Sequence, residues 1–177
     1  MALTTLDIKE PGLNVLPPGV ERYIVEGGGL TGIQILPDDE IEIINNEGNQ
    51  ICEISAFNKD GKSELAILGL KEIKENSEIK KILFKKDETS LQALLQLKKR
   101  NLNIEKSKSS IVFDKETKAG ESIKLKSKDK CYCIVAAPGK EMIVHEQNPS
   151  TELTVIVKRS IIKKDKEFSI IPDPVYD

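Results

Sequence analysis

A chain of 177 residues with 38% hydrophobic and 32% charged residues can bury one core of ordinary size, and it has no apolar run near the roughly 18 residues that a spanning helix needs. Its 27 Lys and Arg against 29 Asp and Glu give a net charge of −2, which argues against a nucleic-acid partner held by phosphate contacts. Three Cys and one His exclude a disulfide scaffold; with no basic or apolar leader in residues 1–10, a reducing cytoplasm is the expected compartment.

Residues 1–19 read as an irregular lead-in, punctuated by Pro11-Gly12 and Pro17-Pro18-Gly19. Extended runs follow at Tyr23-Ile24-Val25 and Ile33-Gln34-Ile35-Leu36. Pro37-Asp38-Asp39 reads as a turn, with its carboxylates engaged in solvation and local backbone bonding. Glu40 to Asn45 alternates apolar and charged residues, Asn46-Glu47-Gly48-Asn49 is a second turn, and Gln50 to Asn58 is another strand. A turn after each run suggests an antiparallel meander.

The period then changes. In Ser63 to Lys74, Leu65, Leu68 and Ile73 can share a helical face. Thr89 to Arg100 is the dominant helix: Thr89 with Gln92 matches a capping box, Leu91, Leu94, Leu95 and Leu102 line one side, and Lys98, Lys99 and Arg100 suit the C-terminal end of the dipole. Strands resume at Ser110 to Phe113, Glu121 to Leu125, Cys131 to Ala137, Leu153 to Val157 and Phe168 to Ile171. The expected fold is therefore mainly β, a sandwich or barrel of mostly antiparallel strands with a helical insertion in the middle. One domain over residues 20–171 and a tail over 172–177 complete the division. Pro37 to Ile43 is echoed by Ala119 to Leu125, each a turn leading into an alternating strand. Repeated strand–turn syntax accounts for this more simply than duplication of a half-barrel.

Several segments match catalytic or binding patterns on paper. Gly27-Gly28-Gly29-Leu30-Thr31-Gly32 fits G-x-G-x-x-G, but the residues after it read as a strand interrupted by Pro37, so a Gly-rich hairpin turn is expected, with positive φ at Gly29. Cys131-x-Cys133, with Cys52 and His145, is the one conceivable zinc set. We expect its two thiols on opposite faces of a strand, the cysteines acting as small hydrophobes, and no metal. No nucleophile elbow surrounds any Ser. In Gly48-Asn49-Gln50, Gly48 is expected to close a turn with positive φ. The Gln50 amide is expected to bond backbone groups that the turn leaves unpaired, with Glu53, three residues on, facing away from it.

Two segments carry a family signal. Leu36 to Asn58, containing Gly48-x-Gln50 and Glu53, resembles the strand–turn–strand core of the urea carboxylase-associated family, which includes carboxyguanidine deiminases. Val135 to Met142 and Asn148 to Arg159 resemble the end of the N-terminal copy of that domain in large proteins carrying a glycine-cleavage T-protein-like aminomethyltransferase unit. Ile171-Pro172-Asp173-Pro174 resembles the linker leading out of that copy. The chain departs from the family's metal-dependent members: it has no His before His145, no Cys-rich segment, and Glu53 where those members tend to have Asp. The resemblance implies an accessory or structural domain without a cofactor. Its partner would be a T-protein-like catalytic domain linked to tetrahydrofolate, in the same or a partner chain. The alternative is a stand-alone enzyme acting on a C–N bond of a carboxyguanidine or urea-derived substrate. A homo-oligomeric scaffold is a third, plainer reading.

Overall fold

The computed structural model describes residues 16–71, 74–75, 77–139 and 150–160. Nine strands lie among them: β1 (Val20–Val25), β2 (Leu30–Ile35), β3 (Glu40–Asn45), β4 (Cys52–Phe57), β5 (Lys74–Glu75), β6 (Lys108–Phe113), β7 (Ser122–Lys126), β8 (Cys131–Ala136) and β9 (Leu153–Lys158). Two helices, α1 (Ser77–Leu83) and α2 (Glu88–Lys99), fall between β5 and β6. Eight of the strands lie where the sequence places extended runs. The expected strand Phe168 to Ile171 lies outside the described residues.

The strands form two sheets, ordered β1-β9-β3-β7 and β2-β8-β4-β6-β5. The pairings β1–β9, β2–β8, β3–β7 and β4–β6 are all antiparallel and nested one inside the next. Strands β1 to β4 and β6 to β9 therefore alternate between the sheets, with β4, β5 and β6 together in one sheet at the centre of the nest, which is the winding of a jelly roll. The expected meander does not form. Alternation in sequence fixes which face of a strand is apolar but not which strand it pairs with. Two facing sheets bury every inward stripe, whereas a single meander would leave one face needing another cover. The two echoing segments are β3 and β7 with their turns, and they are sheet neighbours, with Ile43 opposite Ile123 and Ile41 opposite Leu125.

The inner core packs Ile33 and Ile35 of β2, Ile41 and Ile43 of β3, Ile54 of β4, Val135 of β8 and Leu153, Val155 and Val157 of β9. A second layer lies on the outside of the five-stranded sheet. There Phe57, Ile134 and Ala136 meet Ile79 and Leu83 of α1 and Leu97 of α2. This cover explains why all six residues of β4, Cys-Glu-Ile-Ser-Ala-Phe, are buried: one face looks into the barrel and the other lies under the helices.

The helical insertion departs from the expectation in four ways. Asp87, not Thr89, caps α2, its carboxylate accepting from Ser90 N at 2.7 Å, so the helix starts earlier and Thr89 lies within its first turn. The buried face runs through Ser90 and Leu97, with Ala93 and Leu94 packed against the second layer, while Leu91 and Leu95 stay 54% and 55% exposed. Helix α1 carries no signal that the sequence analysis used. The helix sought in Ser63 to Lys74 is only a 3₁₀ turn at Leu65–Leu68, closed by Gly69 with φ of 75°.

Candidate functional site

The turn between β3 and β4 is held from several sides. Gly48 has φ of 79° and Asn49 φ of 58°. A Cβ on Gly48 would stand 2.6 Å from Ala119 N and 2.9 Å from Thr117 O, so the turn sits directly on the loop before β7. Asn49 N donates to Thr117 O at 2.7 Å, and Gly120 N donates to Asn45 O at 2.8 Å. The fully buried Gln50 follows. Its Nε2 donates to Ile51 O and Pro138 O, both at 2.9 Å, and its Oε1 accepts from Thr151 N at 2.8 Å. Asn45 Nδ2 donates to Gln50 O at 2.8 Å. One side chain thus joins the end of β8 to the approach to β9. Gln50 thus bonds backbone groups, as the sequence suggests, but only Ile51 O is local; Pro138 O and Thr151 N belong to the segments after β8 and before β9.

Glu53 is also fully buried, yet it belongs to a different place. It stands opposite Ala136 on β8 and Ile111 on β6, and Ser109 Oγ donates to its Oε1 at 2.8 Å. A one-residue irregularity in the β4–β6 ladder falls between Cys52 and Glu53. The motif residues Gly48 and Gln50 thus serve the barrel end, while Glu53 lies opposite Ala136 of the layer under the helices.

The cysteines require a correction. Residues two apart on a strand share a face, and Cys131 and Cys133 both point into the inner core, together with Cys52. Cys133 stands opposite Ile33 on one side and Ala56 on the other, while Cys52 is opposite Phe113. All three are free thiols. Burial pushes Cys131 up to about 11, against the bond from Ser127, and also pushes Cys52 and Cys133 well above the ordinary thiol value. Among the described residues no three His, Cys, Asp or Glu side chains gather as a ligand set; His145 lies outside them.

The glycine run also differs in detail. Gly29 N donates to Glu26 O at 2.9 Å across a tight turn, and the positive φ, 82°, is at Gly28 rather than Gly29. The turn carries the chain from one sheet to the other and makes no hairpin. Strand β2, not a helix, follows it, so the helix that a dinucleotide fingerprint needs directly after its glycines is not there; Gly28 and Gly29 instead line a cleft with Asp87, Thr89 and Ser90 at the start of α2.

A buried polar cluster lies at the other end of the barrel, and no sequence motif announces it. Asp39, assigned to a solvated turn, is fully buried. It accepts from Leu36 N at 2.9 Å, Ser160 N at 2.9 Å and Arg159 Nη1 at 2.7 Å. Arg159 also donates to Gln34 O at 2.8 Å and, through Nε and Nη2, makes a bidentate pair with Glu21 at 2.9 and 2.8 Å. Its hydrogen bond holds the Glu21 carboxyl below its ordinary value, and the two carboxylates raise Arg159 above its own. The scarcity of Arg, at positions 22, 100 and 159 only, was the one usable signal. A lysine-rich chain that keeps an arginine at a strand end points to fork-shaped pairing. With most donors and acceptors already engaged, the cluster ties β1, the β2–β3 turn and the end of β9 together.

No protein-family model matches the chain. A curated protein of Ruegeria pomeroyi, trimethylamine-oxide aldolase, is 33% identical over 171 residues, which are 96% of this chain and 21% of that protein. The chain therefore spans about a fifth of the length of its curated relative.

Proposed function

We propose that this chain is an accessory or structural domain of a larger enzyme of the trimethylamine-oxide aldolase kind, without turnover of its own. The carrying observation is the coverage: 96% of this chain aligns with only 21% of the relative. The polar groups that its sequence motif brings inside support the same reading, because Gln50 bonds to backbone at the barrel end. In the finer form of the proposal the catalytic partner is a tetrahydrofolate-linked, T-protein-like aminomethyltransferase unit, in the same or an associated polypeptide. The domain itself is then a jelly-roll relative of the urea carboxylase-associated proteins.

A second reading draws on Glu53. A carboxylate with no exposed surface, bonded by Ser109 Oγ, is costly to bury for packing alone. It would suit a stand-alone enzyme acting on a C–N bond of a carboxyguanidine or urea-derived substrate. One set of assays separates the two readings. The purified chain is given trimethylamine N-oxide, carboxyguanidine, and methylated amines with tetrahydrofolate. The accessory reading expects no substrate loss above background. Turnover of any of these that disappears in a folded Glu53→Gln variant would replace it with the enzyme reading.

A further inference from the structure

A cleft of about 220 Å³ opens beside the loop between β4 and the 3₁₀ turn, where β2, β8 and the end of α2 converge. Gln34, Asn58, Lys59, Arg100, Lys130 and Tyr132 form its polar wall. Three of these six carry positive charge and none carries negative charge, in a chain whose net charge is −2. Among the described residues, Lys59, Arg100 and Lys130 enter no salt bridge. Two carboxylates stand at its border: Asp129 Oδ1 accepts from Lys130 N at 2.7 Å, and Glu64 Oε1 accepts from Asn58 Nδ2 at 2.9 Å.

The cleft is built rather than incidental. Arg100 ends α2, its backbone N donating to Leu97 O at 3.1 Å, and its guanidinium lies 4.4 Å from the centre of the Tyr132 ring. That stack holds a planar fork of donors at the mouth. The ring in turn lies across Gly32, where any Cβ would overlap the Tyr132 hydroxyl. The Lys59 turn is fixed by Asn58 Oδ1, which accepts from Asp60 N at 2.9 Å and Lys62 N at 3.1 Å. The Gln34 amide is committed to Cys131 O at 3.0 Å. Three cations share a wall that carries no carboxylate of its own, and an anion among them lowers their mutual repulsion.

We propose that this cleft binds a small, multiply charged oxyanion, with Arg100 as the fork and Lys59 and Lys130 as flanking charges. Phosphate and carboxylate share the needed chemistry, since both accept two parallel bonds from a guanidinium. The volume suits one or two such groups and is too small for a large organic ligand.

The test is calorimetric titration of the whole 177-residue chain with inorganic phosphate, pyrophosphate and citrate. The proposal expects saturable binding of at least one probe that weakens as sodium chloride is raised. A double variant, Arg100→Gln with Lys130→Gln, should bind about tenfold or more weakly. Lys115→Gln with Lys118→Gln removes the same charge from exposed positions outside the cleft and should bind as the parent does. Melting temperatures of both variants close to that of the parent confirm that folding is intact. Saturation by pyrophosphate but not citrate assigns the site to phosphate, and the reverse assigns it to carboxylate. The proposal is overturned if no probe saturates below about 10 mM, a range that already admits very weak binding. Equal weakening in both double variants, which would mean general surface attraction, overturns it as well.

Discussion

The amide oxygen of Gln50 accepts a hydrogen bond from the backbone N of Thr151 at 2.8 Å, across 101 positions of sequence. The same side chain donates to Pro138 O at 2.9 Å, so the two chain segments flanking residues 140–149 are tied to one buried amide. Replacing it takes this partner from one backbone donor, Thr151 N, and two acceptors, Ile51 O and Pro138 O, and opens a small void. Gln50→Ala should cost about 2–4 kcal/mol, more than a single hydrogen bond, because each orphaned group carries its own desolvation penalty. Urea denaturation measures it. A loss below about 0.5 kcal/mol would show that solvent satisfies these groups at no cost.

Arg159 and its two carboxylates should behave unequally. Asp39 has no exposed surface, so Arg159→Met strands a buried charge and should cost about 3–5 kcal/mol. Arg159→Lys should recover only part of this, since an ammonium cannot reproduce the fork. The Glu21 side chain is 39% exposed, and Glu21→Gln should fall within about 1 kcal/mol of the parent at neutral pH. Glu21 titrates below its ordinary value of 4.5, chiefly through its bond to Arg159. Its contribution is therefore full above that value and is lost as pH falls through the lowered one. Stability of Glu21→Gln should fall less steeply with acid than that of the parent, measured as denaturation midpoints from neutral pH to pH 3.

The three thiols should be inert in the folded chain. With Cys131 pushed up to about 11 by burial, its thiolate at pH 8 is about one part in a thousand, and burial raises Cys52 and Cys133 well above the ordinary thiol value too. An aromatic disulfide reagent should label no thiol rapidly in native protein and all three in denaturant. Fast native labelling of Cys133 would contradict its position in the inner core.

Gly48 and Gly120 separate two effects that usually come together. Their φ values are 79° and 84°, so an alanine at either is strained by its backbone alone. Around Gly120 an added Cβ meets nothing within 4 Å, whereas at Gly48 it would meet Ala119 N at 2.6 Å. Gly120→Ala should cost about 1 kcal/mol, and Gly48→Ala clearly more, by about 1–3 kcal/mol, because the turn must also lift off the loop before β7. Equal melting temperatures for the two variants would show that the contact yields freely.

The strands and the main helix were legible because their signals are local. Alternation at Glu40 to Asn45 fixes an inward stripe of Ile41, Ile43 and Asn45 whatever the partner strand. The positive φ of Gly48 follows from the turn that it closes. The pairing of β3 with β7 and β9 was not legible, because many strands with the same alternation could satisfy the same stripe. Nor was the buried face of α2: leucines at positions 91, 94, 95 and 97 satisfy more than one helical stripe, and only the position of Ile134 and Phe57 beneath the helix selects Leu97 over Leu91. The strongest ion pairs escaped for the same reason. Asp39 looks solvated until the end of β9 brings Arg159 to it from 120 residues away. The cation cleft likewise draws Lys59, Arg100 and Lys130 from three separate segments. Sequence determines which residues are apolar and which segments carry the alternation of a strand. The winding of the two sheets determines which charges meet, because burial and pairing are properties of surfaces assembled from distant parts of the chain.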